Sequence, residues 1–434
     1  MSDYMFMLEN HLNAEQTRFL AALQTLCGSQ NLNVFLAGGA MRDMLGGFPI
    51  RDLDFVVEAN GIKIAKDLLA STGATLVSTD DLRKSAELLL PGGSTIQVAM
   101  ARTEKYLKTG GKPHIAPASI HEDLRCRDFT VNAIALSLGR ASRGLLLDPT
   151  NGLADLDRRE LRAVSNYVLY DDPVRLWRLV RFRVRLGFAL DERTQSQYNN
   201  AREANVEKLI PARAILEQLR QTANELNPAE VLKALEEEKL LGPISPALTG
   251  PKLNLAGFAK WMKVRQLLPF GFDLHINNFA LFLFLITEKL TPKERSSLWK
   301  SIGAEKAEAD LVTRLQTRSK KLESALKSAS LSKASQIYRT ISAESGEVAL
   351  FTLMQTTQRL VADRIRNYLA KHVPAAAEVT DKDIESEGLV PGTPKFLKRK
   401  AEKIASRLDS RVRKPTPPMP ELVAPAPQAM VARR

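Results

Sequence analysis

The sequence "FLAGGAMRDMLGGFPIRDLDFVVE", residues 35–58, contains two strand-like apolar runs separated by a short helical segment at 40–45. The first run ends in the glycine pair Gly38–Gly39, and the second carries Asp52 and Asp54 one residue apart. Because successive side chains of a strand alternate between faces, we expect both carboxylates on one face, about 7 Å apart along the backbone. Charged side chains in a strand that enters a core are costly unless a ligand there needs negative charge.

The aspartate pair is typical of a magnesium site. Mg²⁺ commonly takes one or two protein carboxylates together with substrate phosphates. Two ions about 3.5–4 Å apart at Asp52 and Asp54 could activate an attacking hydroxyl and stabilise a pyrophosphate leaving group. Gly38 and Gly39 predict a strand-to-helix turn whose backbone N–H groups can meet a triphosphate, with Arg42 adding a contact. Two exposed aspartates on an edge strand and an ordinary tight turn remain the alternatives.

The composition is that of a globular protein with a polyanionic partner. The 434 residues include 62 Lys and Arg against 49 Asp and Glu, a net charge of +13, which favours an acidic partner such as nucleic acid. Two cysteines, Cys27 and Cys126, provide neither a disulfide framework nor a four-cysteine zinc site. The longest apolar run, 279–286, is shorter than the ~20 residues of a membrane span. The N-terminus lacks a signal-peptide pattern, so we expect a cytoplasmic protein without membrane contact.

Periodicity divides the chain into an α/β first third and a helical remainder from about residue 151. We expect a mobile loop in "TGGKPHIAP", 109–117, and a helix that begins in "DFTVNAIALSL", 128–138. The other elements expected in the first third are helices at 12–27 and 61–72 and strands at 34–39, 74–78, 86–90 and 94–101.

A second candidate site lies in "DDPVR", 171–175. Asp172 precedes a proline and is a natural N-cap, and Arg175 follows three residues later on the same face. Cytosine and adenine both present an amino donor beside an unprotonated ring nitrogen, whereas guanine and uracil present the reverse pattern. A carboxylate and a guanidinium would therefore accept C and A and reject G and U by leaving polar groups unpaired. The alternative is that Asp172 only caps the helix and Arg175 is only solvated.

Five segments, taken in order, resemble the motifs of the class II tRNA nucleotidyltransferase/poly(A) polymerase family, which includes the CCA-adding enzymes. The first is 35–58. The others are "EDLRCRDFTVNAIAL" (122–136), "DPTNGLADLDRRELR" (148–162), "YDDPVRLWRLVRFRVRLGF" (170–188) and the weaker "PARAILEQL" (211–219). The segment "TDKDIESEGLVPGTP", 380–394, is more loosely similar to the family's C-terminal region.

The resemblance implies an α/β nucleotidyltransferase head, a small β-sheet with flanking helices, followed by all-α neck, body and tail domains. The predicted regions are an N-terminal helix (1–30), the catalytic head (31–150), a neck with the base-recognition helix (151–235), an RNA-binding body (236–375), a basic tail (376–414) and a disordered Pro/Ala-rich end (415–434).

The resemblance also assigns roles to individual residues. Asp52 and Asp54 become the catalytic metal ligands, and Arg102 and Glu104 form the root of a flexible loop that helps switch the pocket from C to A. In the tail, Lys395, Lys398, Arg399 and Lys400 predict a face that contacts RNA phosphates, or else a solvated terminal helix. The nucleotide-binding positions are Gly38, Gly39, Arg42, Asp43, Arg102, Arg127, Asp128, Asn132, Asp172, Arg175, Arg178 and Arg181.

Three positions depart from the family pattern. Gln97 stands where the family usually has an acidic residue, a candidate third metal ligand. Cys126 replaces the first arginine of the usual RRDFT, which removes one possible phosphate contact. Asp171 replaces the glutamate that usually precedes the base-selecting aspartate.

The sequence thus predicts a tRNA nucleotidyltransferase that builds or completes the 3′-CCA end from CTP and ATP with Mg²⁺, with tRNA as partner and no evident obligate protein partner. A specialised A-adding or CC-adding enzyme and a poly(A) polymerase remain alternatives within the family. A non-catalytic RNA-binding protein on a transferase fold is the alternative from another class. A dinucleotide-dependent oxidoreductase is excluded because the third glycine of its fingerprint is missing.

Overall fold

The computed structural model describes residues 3–269, 272 and 274–410 of the chain. These residues form two compact units. The first comprises residues 3–266, 274–319 and 345–354, and the second comprises 267–269, 272, 320–344 and 355–410. The predicted Pro/Ala-rich end, 415–434, and the last predicted tail residues, 411–414, lie outside the described residues.

The first unit contains a seven-stranded mixed sheet. Its strands are β1 Val34–Ala37, β2 Leu53–Val57, β3 Thr75–Asp80, β4 Ser85–Leu89, β5 Thr95–Met100, β8 Ala135–Ser137 and β9 Leu146–Leu147. Their order across the sheet is β3-β4-β5-β2-β1-β8-β9. β2, which carries Asp54, pairs antiparallel with β1 and parallel with β5 and so lies in the middle of the sheet. Two further strand pairs are β6 Arg102–Lys105 with β7 His114–Pro117, and β10 Glu160–Leu161 with β11 Ala189–Leu190.

The side chains of β2 alternate between the main hydrophobic core and the opposite face of the sheet. Leu53, Phe55 and Val57 are buried in the main hydrophobic core, where the Phe55 ring stacks on that of Phe19 at 5.8 Å. Val56 belongs to a smaller apolar cluster on the other face. Because strand side chains alternate, Asp54 shares the face of Val56, away from the main core.

Helices make up most of the chain after residue 151, which confirms the predicted order of an α/β region and a helical remainder. The helices before residue 240 are α1 Asp3–His11, α2 Ala14–Ser29, α3 Gly39–Leu45, α4 Gly61–Thr72, α5 Ile120–Arg125, α6 Gly152–Arg158, α7 Val168–Asp171, α8 Val174–Leu186, α9 Glu192–Glu203, α10 Ala212–Ala223 and α11 Pro228–Glu237. Those that follow are α12 Leu255–Arg265, α13 Asn278–Thr287, α14 Pro292–Ser301, α15 Lys306–Lys327, α16 Ala334–Ser342, α17 Gly346–Gln355, α18 Arg359–Asn367, α19 Val373–Ala377, α20 Asp381–Glu385 and α21 Pro394–Asp409.

Two predictions for the α/β region were wrong. The segment 128–138 does not begin a helix: it forms a 3₁₀ turn, Thr130–Asn132, and then strand β8. Its apolar residues are buried as a continuous run because β8 lies inside the sheet beside β1, and such a run fits a helix or a strand equally well. The segment predicted as a mobile loop, 109–117, is loop only in its first part, since His114–Pro117 pairs with β6.

Among the described residues, no helix is both long enough and apolar enough to span a membrane. The apolar run 279–286 lies within α13, where all its side chains are buried. It is therefore a core helix of the first unit.

Candidate active site

The glycine turn lies directly against the aspartate pair. Gly38 has φ +75°, a left-handed conformation that favours glycine. A Cβ at this position would lie 2.6 Å from Arg127 Nη1 and 3.5 Å from Asp54 Oδ2. The N–H of Gly38 donates to the Ile134 carbonyl at 3.2 Å and is committed to the sheet. Gly39 begins α3, so its N–H belongs to the first turn, where a helix offers no internal acceptor.

Both carboxylates are poised to hold a cation. Burial and the negative charge of Asp52 raise the pKa of Asp54 to about 6, against the opposing guanidiniums of Arg127 and Arg42. Burial also raises the pKa of Asp52. Asp52 is nonetheless exposed and Asp54 is half-buried, so both carboxylates can reach a cation. Carboxylate oxygens that repel each other are stabilised by a divalent ion, and oxygen ligands of this kind suit Mg²⁺.

Gln97 lies opposite Asp54 in the parallel pairing of β2 and β5. It also lies opposite Glu87 of β4, so the three side chains occupy neighbouring positions across the sheet. No group of three or more His, Cys, Asp and Glu residues within the described part of the chain is arranged to hold an ion. Asp52 and Asp54 could hold Mg²⁺, which takes one or two protein carboxylates when substrate phosphates and water complete its coordination.

The predicted base-selecting pair lies at the start of α8. Asp172 Oδ1 accepts from the backbone N–H of Val174 at 3.3 Å, a capping contact, although the N-cap position itself is Pro173. The side chain of Asp172 is 30% exposed, and its Oδ2 lies 3.9 Å from Arg175 Nε. A backbone contact fixes the Arg175 guanidinium, because its Nη2 donates to the Cys126 carbonyl at 3.2 Å. One carboxylate and one guanidinium thus stand side by side, with the carboxylate open to the solvent.

A chain of hydrogen bonds connects α8 to the glycine turn. Arg178 Nε donates to Asp128 Oδ2 at 2.7 Å, and Asp128 Oδ1 accepts from Asn132 Nδ2 at 3.0 Å. Asn132 Oδ1 then accepts from Arg42 Nη1 at 2.6 Å. Burial alone would raise the pKa of Asp128, but Arg178 and Arg175 hold it far below its usual value. Asp128 is therefore a permanent anion that orients the surrounding donors.

The ring of Phe182 supports three guanidinium groups. Arg181, Arg42 and Arg178 lie 4.8, 5.0 and 5.4 Å from the ring centroid. Cations over an aromatic face are attracted by its quadrupole. Phe182 thereby helps to hold the guanidiniums of Arg42 and Arg178, whose charges act on Asp54.

The predicted loop root is an ion-pair cluster. Arg102 Nε donates to Glu104 Oε1 at 2.9 Å, and Arg83 Nε donates to the same oxygen at 3.2 Å. Tyr106 donates its hydroxyl to Glu104 Oε2 at 3.0 Å. Burial would raise the pKa of Glu104, but the guanidiniums of Arg102 and Arg83 lower it. Glu104 thus fixes the start of the β6–β7 hairpin at the edge of the site.

These groups line one cleft of about 540 Å³. Asp43, predicted to bind nucleotide, is not among the lining residues: it is buried against Arg42 at 2.7 Å and Arg185 at 2.6 Å. The predicted residues that line the cleft are Gly38, Gly39, Arg42, Asp52, Asp54, Arg102, Glu104, Arg127, Asp128, Asn132, Asp172, Arg175, Arg178 and Arg181.

Sequence reasoning missed several lining residues. Arg83 and Arg185 add positive charge, and Gln218 and Gln221 bring amide groups from α10. Arg185 continues the arginine spacing of α8 and could have been found by extending that pattern. The others are brought to the cleft by folding alone.

The predicted RNA-binding residues belong to α21 of the second unit. Arg399 pairs with Glu387 at 2.7 Å and Lys400 with Asp381 at 2.6 Å. Lys395 and Lys398 are exposed. Acidic residues from the preceding segment therefore neutralise part of the basic face, a pairing that the sequence pattern did not indicate.

Comparison with known proteins agrees with this geometry. Residues 34–162 match the sequence model of the poly A polymerase head domain. The A-adding tRNA nucleotidyltransferase of Aquifex aeolicus is 33% identical over 213 residues, 49% of this chain and 26% of that protein. The CC-adding enzyme of Deinococcus radiodurans is 40% identical over 151 residues, 35% of this chain and 40% of that protein. The multifunctional CCA protein of Stenotrophomonas maltophilia K279a is 32% identical over 225 residues, 50% of this chain and 52% of that protein.

Each of these matches spans between about a quarter and a half of the relative's own length. Solved structures extend the likeness in fold. A CCA-adding enzyme in an apo form matches 95% of this chain and 96% of its own with a TM-score of 0.55 at 22% identity. A tRNA nucleotidyltransferase complexed with a primer tRNA and an incoming ATP analog matches 81% of this chain and 98% of its own with a TM-score of 0.51 at 25% identity. Residues 34–162 therefore match the poly A polymerase head domain, and about half of the chain is similar in sequence to tRNA nucleotidyltransferases.

Proposed function

We propose that this protein is a tRNA nucleotidyltransferase that adds or completes the 3′-terminal CCA of tRNA without a nucleic-acid template, using CTP and ATP and releasing pyrophosphate. One observation carries the proposal: the pair Asp172 and Arg175 and the pair Asp52 and Asp54 line the same cleft. A base held at the first pair would extend its triphosphate toward the second. The A-adding, CC-adding and multifunctional relatives support the same general reaction.

Base selection follows from hydrogen-bonding chemistry. The Asp172 carboxylate accepts from the exocyclic amino group of cytosine or adenine, and Arg175 donates to the neighbouring ring nitrogen. Guanine and uracil present a carbonyl and a ring N–H there, which leaves both protein groups unpaired. A site built on hydrogen bonds discriminates strongly against a partner that cannot make them.

The phosphate end of the cleft is positively charged. Arg42 and Arg127 line the cleft together with Gly38 and Gly39 of the glycine turn. Mg²⁺ bound at Asp52 and Asp54 would supply charge stabilisation for the pyrophosphate leaving group. The protein itself positions the triphosphate and keeps Asp128 ionised, so that the donors around it stay oriented.

A-only addition is the second candidate. The Aquifex aeolicus relative is an A-adding enzyme, and the solved complex with primer tRNA contains an ATP analog. The Arg102–Glu104 pair at the root of the β6–β7 hairpin favours a pocket that takes ATP over CC addition alone. The experiment below separates the two candidates.

The test uses three tRNA transcripts that end before CCA, after the first C and after the second C. Each transcript is incubated with CTP, ATP or both in Mg²⁺, and product lengths are resolved on a gel. A parallel preparation of the Asp52→Ala/Asp54→Ala variant reports contaminating host activity. We expect the shortest transcript to reach one discrete completed length only when both nucleotides are present.

Other outcomes identify the alternatives. Extension of only the transcript that already ends in CC would establish A-only addition. Arrest before the final A would establish CC addition, and a long ladder with ATP alone would establish a poly(A) polymerase. RNA binding without any incorporation would refute the proposed activity and favour a non-catalytic RNA-binding protein.

A further inference from the structure

We propose that Glu225 is a positioning residue that couples the catalytic aspartates to the base-selecting helix α8. Glu225 lies just after α10 and is 2% exposed. It is not part of any predicted motif and does not line the cleft. Its carboxylate nevertheless contacts an arginine from each half of the site.

The first contact reaches α8. Arg181 Nη1 donates to Glu225 Oε1 at 2.9 Å. This arginine is 4% exposed, lines the cleft and lies over the Phe182 ring. Burial and the neighbouring guanidinium of Arg178 lower the pKa of Arg181 to about 10, and the Glu225 carboxylate opposes that shift. Glu225 is therefore the carboxylate that pairs with this buried guanidinium and holds it in place.

The second contact reaches the segment that carries the aspartates. Arg51 Nη1 lies 3.0 Å from Glu225 Oε2 and also donates to the Asn224 carbonyl at 3.3 Å. Arg51 is the residue before Asp52, so this contact restrains the backbone from which the Asp52 side chain projects. A single carboxylate thus links the start of β2 to α8 through two short ion pairs.

The link matters for the reaction because catalysis needs the base and the triphosphate held in a fixed relation. This part of the inference rests on the proposed function. A misplacement of about 1 Å can cost about a hundredfold in rate. Loss of one partner from a buried pair leaves the other charge uncompensated. The element that carries this charge can then shift from its position.

Glu238 provides a matched control. It also pairs with an arginine of α8, since Arg183 Nη2 lies 2.7 Å from Glu238 Oε1. It accepts a further hydrogen bond from the Tyr198 hydroxyl at 3.0 Å. Neither Glu238 nor Arg183 lines the cleft. A change at Glu238 therefore disturbs the same helix without disturbing the site.

The experiment compares Glu225→Gln and Glu238→Gln in the full chain by melting temperature, equilibrium ATP affinity in Mg²⁺ and nucleotide incorporation. Both variants should lower the melting temperature. Only Glu225→Gln should weaken ATP binding and slow incorporation, each by about tenfold or more, and Glu225→Asp should recover part of the loss. Adding Arg51→Gln to Glu225→Gln should cause little further loss, because both changes remove the same ion pair and coupled residues are not additive.

Unchanged ATP affinity in folded Glu225→Gln would overturn the inference, as would equal losses in both glutamate variants. If Glu225→Gln does not fold, Arg51→Gln replaces it, since it removes one contact and leaves Arg181 paired. That variant should slow incorporation, and a wild-type rate would overturn the inference. A wild-type protein that incorporates no nucleotide would refute the proposed function, while the ATP-binding comparison would still decide the role of Glu225.

Discussion

Gln97 lies directly opposite Asp54 in the parallel pairing of β2 and β5. Gln97 lines the same cleft as Asp52 and Asp54 and places a neutral amide beside the two carboxylates. If the two aspartates hold Mg²⁺ as proposed, the affinity for the ion should respond to a change in charge at position 97.

Glutamate at position 97 should lower the Mg²⁺ concentration that nucleotide incorporation requires. We expect Gln97→Glu to lower, by several-fold, the Mg²⁺ concentration for half-maximal incorporation, because an added carboxylate increases the attraction for a divalent ion. The rate at saturating Mg²⁺ should change little. Titration of initial rates with Mg²⁺ measures both quantities, with Gln97→Met as a neutral control. A large loss of rate in Gln97→Glu alone would show that the amide has its own role.

Removal of either catalytic carboxylate should abolish incorporation. Asp52→Ala and Asp54→Ala should each lose about a thousandfold in rate, since a bound metal contributes several kcal/mol of charge stabilisation. The fold should persist, because both side chains lie outside the main core. Single-turnover incorporation and tRNA binding are measured together. Robust turnover by either variant in Mg²⁺ would contradict the metal assignment.

Protons and Mg²⁺ should compete at Asp54. Its pKa is raised to about 6, so the carboxyl is neutral below that pH and must lose a proton to bind a cation. At subsaturating Mg²⁺, incorporation should therefore fall as the pH drops through about 6. A higher Mg²⁺ concentration should move the midpoint to lower pH, because the cation stabilises the ionised form. A midpoint independent of Mg²⁺ would assign the titration to another group.

Loss of either base-selecting side chain should relax nucleotide choice. Asp172→Ala and Arg175→Ala should each raise misincorporation of UTP or GTP relative to CTP and ATP, since a good two-point contact contributes roughly 1–3 kcal/mol of discrimination. Asp171→Ala and Arg183→Ala are neighbouring controls that do not line the cleft. Competition assays with paired nucleotides give the selectivity ratio. Unchanged ratios in both test variants would leave Asp172 as a cap and Arg175 as a structural donor.

If α21 contacts RNA, its exposed lysines should be the side chains that contact the phosphates. Lys395→Ala/Lys398→Ala should weaken tRNA binding and reduce the log–log salt slope by about one for each lost phosphate contact. Lys400→Ala is the control, because Lys400 already pairs with Asp381 at 2.6 Å. Binding isotherms across salt concentrations provide the slope. If the double variant keeps the wild-type slope, the helix is only a solvated end.

Local patterns were enough to predict most of the cleft. The period of two along a strand placed Asp52 and Asp54 together, and the spacing of three along a helix placed Asp172, Arg175 and Arg178 together. Such relations depend only on the geometry of one element. They predicted which residues face the same way, and the motif resemblance then connected the two elements.

Contacts between separate secondary-structure elements could not be predicted from the sequence. The segment 128–138 formed β8 because a place in the sheet was available beside β1, and no local signal distinguishes a buried strand from a short buried helix. The acidic partners of α21, Glu387 among them, lie on a separate segment, so the basic pattern of the helix overstated its free charge.

The sequence by itself determined the α/β order of the first third, the carboxylate pair Asp52 and Asp54 and the neighbouring pair Asp172 and Arg175, because each depends on residues that are close in the chain. Only the tertiary structure decided that Arg83 joins Glu104, that Asp43 turns away from the cleft and that Glu225 holds Arg51 and Arg181 together. Burial explains the difference, because a charged side chain removed from water must pair with a counter-ion wherever the fold supplies one. That partner can lie more than a hundred residues away along the chain, as it does for Arg51 and Glu225.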